Sequence, residues 1–318
     1  MEIIFINVGY GDAILVKHNS QYGLIDGGSS IQEEFQGNRI SLKDYLKKEN
    51  ITKLEFVIIT HIHEDHVCGI SEILDFVTIK TLYLPYIPRI LDQEDINIGN
   101  DFRFSLLGYI QALNAYKNLI TYAKRNNIAC FNVVELGVFH PLGPDLEITV
   151  LEPSHDHAER YARRIESACA ETNTLVKIKQ LEALERDSND HSLVLRIVHD
   201  GYSCVLAADN CPSNWRATTF SFIQNENVLK LPHHGQLDAV NKEFLDIVGV
   251  EYIVTSSSSD RRNNSSNPEV YRQLRKANKD IKFLFTDEIT YVPFALGERN
   301  DTSSVHFTFT EKTVEVTM

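Results

Sequence analysis

Three histidines and one aspartate fall within His61-Ile62-His63-Glu64-Asp65-His66. Histidine and carboxylate are the donors that borderline divalent metals prefer. His61 and His63 are two apart, so extended chain points them the same way. Asp65 and His66 open an expected helix, which aims a second pair at a neighbouring point. One short segment can therefore serve two adjacent metal ions. A solvated polar loop is the plain alternative. Against it stands the apolar run Phe56-Val57-Ile58-Ile59, which reads as a buried strand ending at the first ligand.

Further donors lie downstream. Asp209 follows the apolar run Cys204-Val205-Leu206-Ala207-Ala208, so its carboxylate is expected at a strand end, where it can bridge two cations. A turn-forming Asp-Asn pair is the alternative. In Leu231-Pro232-His233-His234-Gly235, one histidine is expected to bind metal and the other to touch substrate or support a ligand from behind. The spacing leaves open which does which. In Asn189-Asp190-His191-Ser192, either His191 or Asp190 completes a metal shell, or Asn189 and Ser192 order the loop through side-chain to backbone bonds. His155 and His157 sit in a polar helical stretch and read as surface residues. His18, His140, His199 and His306 read as structural or solvated.

The elements that must carry these residues alternate between strand and helix. Short apolar runs at 3–8, 13–17 and 22–25 predict a β meander, with Asp26-Gly27-Gly28 as a tight turn after it. A helix is expected over 42–48 and strands over 56–59 and 80–84. Residues 103–125 repeat apolar side chains at three and four spacing, the clearest helical signal in the chain. Strands are expected at 130–134 and 146–151, then a charged, mostly helical stretch at 154–190. Asp200-Gly201 predicts a hairpin joining 192–198 to 203–207. Further strands are expected at 228–231, 252–255, 283–285, 289–294, 305–309 and 314–316, and Pro268 is expected to start a helix. No linker or repeat breaks the pattern, so a single domain over 1–318 is expected, with insertions at about 86–128 and 154–190.

Composition narrows the class. With 43% hydrophobic and 24% charged residues, the chain reads as an ordinary globular protein able to build a large core. No apolar run reaches the length of a membrane span, and the N-terminal segment lacks the basic start and small-residue cleavage site of a signal peptide. The five cysteines are scattered without a CxxC pair, so neither a disulfide framework nor a thiolate zinc site is expected. A cytoplasmic location fits these features best. The net charge of -13 argues against a broad non-specific grip on nucleic acid, though not against a local basic patch or a metal that carries the positive charge itself.

The order of Asp26-Gly27-Gly28, the HxHxDH run, Asp209 and the late His233-His234-Gly235 resembles the metallo-β-lactamase fold superfamily. The resemblance implies an α/β fold, a four-layer αββα sandwich with a dinuclear centre at one edge of its two sheets. Val8-Gly9-Tyr10-Gly11-Asp12-Ala13, residues 189–195, Ala208-Asp209-Asn210 and residues 229–235 are similar to the hydrolase domain of competence DNA-uptake channel proteins, which is regarded as a nuclease. Phosphorylcholine esterases of the same fold carry related motifs. The chain departs from the pattern in having no GHTxG-type segment, which leaves the third-motif ligand to His191. Asn267-Pro268 stands where the DNA-uptake relatives tend to have His-Pro.

The expected chemistry is hydrolysis by water activated between two divalent metal ions, zinc or manganese. Expected metal ligands are His61, His63, Asp65, His66, His191, Asp209 and His234. Asp65, His233 and His234 are the expected catalytic residues, and Asp26 and Asn189 brace the ligands from behind. Lys230, Arg261 and Arg262 are candidates to meet substrate anions, with solvated charge as the alternative. A phosphodiester, with DNA among the candidates, is the first substrate class. A small phosphoester or carboxylic ester is the second. A non-catalytic or partner-controlled metal-binding subunit is a reading of a different class.

Overall fold

The computed structural model describes residues 1–89, 94–99, 102–290, 303–310 and 313–318. Two large sheets face each other. The first has eight strands in the order Val314–Thr317, Ser304–Phe309, Glu2–Ile6, Ile14–His18, Gln21–Ile25, Phe56–Ile58, Thr81–Leu84 and Ala129–Asn132. The second has seven, in the order Lys282–Phe285, Tyr252–Thr255, Val228–Lys230, Tyr202–Leu206, Val194–His199, Glu147–Glu152 and Val138–Phe139. Lys53–Leu54 and Thr78–Ile79 form a small parallel pair beside them.

Each sheet is half antiparallel and half parallel. In the first, pairing is antiparallel up to Gln21–Ile25 and parallel from there to Ala129–Asn132. In the second, pairing is parallel from Lys282–Phe285 to Tyr202–Leu206 and antiparallel from there to Val138–Phe139. Parallel neighbours need crossover connections, and helices supply them. Leu42–Lys48, Glu64–Ser71 and Phe104–Arg125 serve the first sheet; Ala217–Ile223, Lys242–Ile247 and Pro268–Ala277 serve the second.

The two-residue period of the strands sorts side chains between layers. Ile3 and Phe5 point between the sheets, where they pack with Ile14, Val16, Leu195, Ile197 and Leu206. Ile4 and Ile6 point outward and pack under the helices of the first face, against Leu106, Leu113 and Tyr116 among others. Val205 and Ala207 do the same on the second face with Phe244, Val270 and Leu274. The result is four layers, helix, sheet, sheet, helix, as the resemblance implied. Among the described residues no helix is long and apolar enough to cross a membrane.

Several expectations need adjustment. The strand expected at 130–134 gives way at Val133 to a one-turn helix, Val133–Leu136, started by Asn132, whose side chain accepts from the Val134 N–H. The stretch 154–190 forms two helices, His155–Ala170 and Thr174–Asp187, and it is more than surface cover: Tyr161, Ile165, Leu181 and Leu184 are fully buried in the first-face core. Of the strand expected at 289–294, residues 289 and 290 are not strand, and 291–294 lie outside the described residues.

Candidate metal centre

Parallel strands leave their carboxyl ends at one edge of the sandwich, where ligand sites gather in α/β sheets. Gln21–Ile25 and Phe56–Ile58 end there in the first sheet and deliver Asp26 and His61 to His66. Tyr202–Leu206 and Val228–Lys230 end there in the second and deliver Asp209 and His234.

Asp26 organises the first-sheet side. It adopts a left-handed φ of 57° and is fully buried. Its Oδ1 accepts from the Thr60 N–H at 2.8 Å, and its Oδ2 accepts from Thr60 Oγ1 at 2.6 Å and from His66 Nδ1 at 2.8 Å. The helix Glu64–Ser71 is pressed against this turn. Gly27 N–H donates to His66 O and Gly69 N–H to Gly28 O, and a Cβ at Gly69 would lie 2.0 Å from Gly27 O. Glycine at 69 is what allows this approach.

Hydrogen-bond partners assign the imidazole tautomers. Thr60 Oγ1 gives its proton to Asp26, so it accepts from His61 Nδ1 at 3.0 Å. His61 Nε2 is left with its lone pair. His63 Nε2 donates to the Glu185 carbonyl at 3.4 Å, which leaves the Nδ1 lone pair 3.1 Å from His61 Nε2. Two lone pairs thus face each other, with Asp209 Oδ2 at 3.9 Å from His61 Nε2. The second group is built alike. His66 Nδ1 is spent on Asp26, and His234 Nδ1 donates to the Ser256 carbonyl at 2.8 Å. Their Nε2 atoms lie 3.5 and 3.2 Å from Asp209 Oδ1 and 3.6 and 3.4 Å from Asp65 Oδ2.

Donor atoms of Asp65, His66, Asp209 and His234 form one convergent group, and those of His61, His63 and Asp209 another. Asp209 offers one oxygen to each. His66 Nε2, His234 Nε2 and Asp209 Oδ1 are buried without a hydrogen-bond partner among the described residues. Buried electron-pair donors that face only one another are strongly unfavourable unless a cation lies between them. The residues present fit two divalent cations, and nitrogen with carboxylate oxygen suits zinc or manganese.

The electrostatics agree. Burial, with His66 and His63 close by, holds His61 far below the usual imidazole range. Against the same burial, Asp209 raises His234 to about 9, and Asp209, Asp65 and Asp26 raise His66 well above its usual value. Burial would neutralise Asp209, but His234 and His66 pull it well below the usual carboxylate range. Against burial, Asp65 and Asp209 are both held below the usual carboxylate range by the neighbouring imidazoles, while burial raises Asp26 above it.

A cavity of about 670 Å³ opens over both groups, lined by Tyr10, Phe104, Tyr109, Asn189, His233 and Arg262 among others. Residues 6–147 match the family model of the Metallo-beta-lactamase superfamily. The chain has the metallo-β-lactamase fold. Members of this superfamily are generally metal-dependent hydrolases. The chain is similar to Igni18, a metallo hydrolase from the archaeon Ignicoccus hospitalis, with a TM-score of 0.50 at 15% identity over 98% of this chain and 100% of that one. It is also 21% identical to ComE operon protein 3 of Bacillus subtilis over 96% of this chain and 34% of the relative. The chain thus spans about a third of the length of that relative.

At this sheet edge, His61, His63, Asp65, His66, Asp209 and His234 converge. His191 does not. Its ring stacks on Tyr161 at 4.2 Å and packs on His157 at 4.1 Å, away from both donor groups. Burial and the nearby His157, Arg164 and Arg160 lower its pKa to about 3, which marks a neutral packing residue. In the same segment Ser192 makes a side-chain to backbone bond, its Oγ accepting from the Asp209 N–H at 3.1 Å, whereas Asn189 Nδ2 bonds a side chain instead, donating to His233 Nε2 at 3.1 Å.

Lys230 is a second correction. It is fully buried and does not reach the cavity; its Nζ lies 2.8 Å from Ala208 O and 2.6 Å from Asp12 Oδ2. Arg262 does line the cavity, between the rings of Tyr10 and Phe104 and paired with Glu34. Arg261 instead donates to Asn264 Oδ1 and is not among the lining residues. Of the histidine pair, His234 joins the donor group, while His233 faces the cavity with Nδ1 held by Asp238 at 3.0 Å. Sequence reasoning missed Asp12, Thr60 and Tyr10 as site residues. The Gly9-Tyr10-Gly11-Asp12 segment helps carry the family resemblance, but no site role attaches to it until the fold sets Tyr10 against His234, with ring centroids 4.4 Å apart.

Proposed function

We propose that this chain is a phosphodiesterase of the nuclease type, working with two divalent cations, zinc or manganese. The observation that carries the reading is the pair of buried donor groups joined by Asp209 at the floor of the cavity. Bound there, the cations supply an acidified water and polarise the ester under attack.

The chain's own residues do the rest. Asp65 and Asp209 hold negative charge among four imidazoles and fix where cations and water can sit. Asp26 keeps His66 in the tautomer that presents Nε2, as carboxylates behind ligating histidines do. His233 donates Nδ1–H to Asp238, so its Nε2 faces Asn189 and Gln236 at the cavity wall. That arrangement leaves the Nε2 lone pair toward the cavity, which suits a proton acceptor there. Tyr10, Phe104 and Tyr109 offer flat faces for bases or other rings, and Arg262, whose charge is matched by Glu34, lines the wall with N–H donors that a phosphate oxygen can use.

The four-motif resemblance to the hydrolase domain of DNA-uptake proteins supports DNA as substrate. A small phosphoester or carboxylic ester is the second reading, favoured by the size of the cavity and the net charge of -13. A chromogenic phosphodiester, a carboxylic ester and a lactam, each offered with added manganese or zinc, separate these classes. Turnover of the phosphodiester alone is expected. Turnover of the carboxylic ester alone establishes the second reading, and no turnover of any substrate by a fully loaded protein favours a non-catalytic role.

A further inference from the structure

At the edge of the sandwich opposite the metal centre, each sheet ends an inward-facing row of side chains on a histidine. In Ile14–His18 the row is Ile14, Val16, His18; in Val194–His199 it is Leu195, Ile197, His199. Both histidines immediately precede a two-residue turn with positive φ at both positions, Asn19 (48°) and Ser20 (62°) in one sheet, Asp200 (49°) and Gly201 (81°) in the other. The two rings meet across the sheet interface with centroids 4.7 Å apart, and only 5% and 8% of His18 and His199 is exposed. Apolar rows of this kind ordinarily end on apolar or solvated side chains, and here each ends on a buried imidazole.

Carboxylates close the arrangement. His18 Nε2 lies 2.9 Å from Asp145 Oδ2, and the side-chain amide of Asn19 sits 2.8 Å from the same nitrogen. His199 Nδ1 donates to the Asp145 backbone carbonyl at 3.0 Å. A carbonyl only accepts, so that bond fixes the tautomer and presents the Nε2 lone pair, 3.2 Å from Asp200 Oδ2. A ring N–H on a backbone carbonyl is the usual brace of a metal-ligating histidine. One donor atom each from His18, Asp145 and His199 lies within 4.8 Å of the others. Ligands on one tetrahedral zinc sit roughly 3.3 Å apart, given metal–ligand distances of about 2.0–2.1 Å, so small side-chain adjustments close the group on an ion. The cluster opens into a cavity of about 490 Å³ that Glu2, Lys17 and Asp200 also line. Lys17 is held by Glu2 at 2.7 Å, so its charge is already matched.

We infer that His18, His199 and Asp145, with Asp200 at the rim, form a separate site for a borderline divalent cation such as zinc, nickel or cobalt, which ties the two sheets together away from the dinuclear centre. Two imidazoles and carboxylate oxygen are the donor set such ions prefer. The site uses no residue of the dinuclear centre, so it stands whether or not the proposed activity does.

Equilibrium dialysis against zinc, with the bound metal counted per chain, tests it. The His18→Gln/His199→Gln double variant is expected to bind one ion fewer than the parent and to lose part of the zinc-induced rise in melting temperature. Asp145→Asn/Asp200→Asn changes only exposed carboxylates and is expected to weaken the same ion, so the test survives a folding defect in the first variant. Zinc-edge anomalous diffraction is expected to place a peak between His18 and His199. Equal metal counts in parent and both variants, with no such peak, overturn the inference.

Discussion

Replacing Lys230 by methionine separates a buried structural cation from a substrate-binding one. Its Nζ lies 2.6 Å from Asp12 Oδ2 and 3.8 Å from Asp209 Oδ1, and the residue has no exposed surface. With an effective dielectric of about 20, those separations correspond to gross attractions of about 6 and 4 kcal/mol. Desolvation of the ammonium offsets several kcal/mol of this. Removing one partner of such a pair leaves an unmatched charge and typically costs about 3–5 kcal/mol. Lys230→Met keeps most of the side-chain volume, so packing loss adds little. The expected result, from urea unfolding of the metal-free protein followed by circular dichroism, is destabilisation of about 3–5 kcal/mol. Asp12→Asn in the same background removes the stranded charge, and the double variant should be more stable than the sum of the single effects by about 2 kcal/mol or more. A cost below about 1 kcal/mol, or simple additivity of the two changes, refutes the buried-pair account. Unchanged stability with a raised KM would restore the substrate-contact role that the sequence suggested for Lys230.

Three other outcomes follow from the same geometry. His191 is lowered to about 3 by burial, so the unfolded chain, with an imidazole near 6.5, binds more protons between those values and stability falls as pH drops below about 6.5. By pH 5 this amounts to at most about 2 kcal/mol, which His191→Phe should remove when the two proteins are unfolded in urea at both pH values; identical pH slopes contradict it. His233→Gln should lower kcat by about 10²-fold or more with the metal content unchanged, and Asp238→Asn should act in the same direction; loss of bound metal instead would make His233 a ligand. Gly69→Ala should destabilise by about 1–3 kcal/mol in thermal melts, although alanine favours helices, because its Cβ would meet Gly27 O at 2.0 Å; a stabilised variant rules out the close approach.

Much of this candidate centre was legible in the sequence because its convergent donors follow strands. His61, His63, Asp65 and His66 are local, and their placement needs only a buried strand that ends at Ile58. Asp209 and the histidine pair also stand just beyond apolar runs, which is where parallel strands collect ligands. The choice between His233 and His234 was not legible. It depends on two successive left-handed residues, with φ of 45° and 51°, that turn one ring inward and the other to the cavity. His191 misled because its neighbours in sequence are polar, while its neighbours in space, Tyr161 and His157, come from a preceding helix. Lys230 looked like surface charge because its partner Asp12 is distant in sequence, in the turn between Glu2–Ile6 and Ile14–His18 of the other sheet. His18 and His199 had no local context and became a pair only when the two sheets stacked.

Anomalous diffraction from crystals grown with zinc tests the central claim most directly. Two peaks are expected at the proposed dinuclear centre, one among His61, His63 and Asp209, the other among Asp65, His66, Asp209 and His234. Asp209→Asn should weaken both together, because its two oxygens face the two groups. A single peak, no peak, or two peaks indifferent to Asp209 would contradict the account.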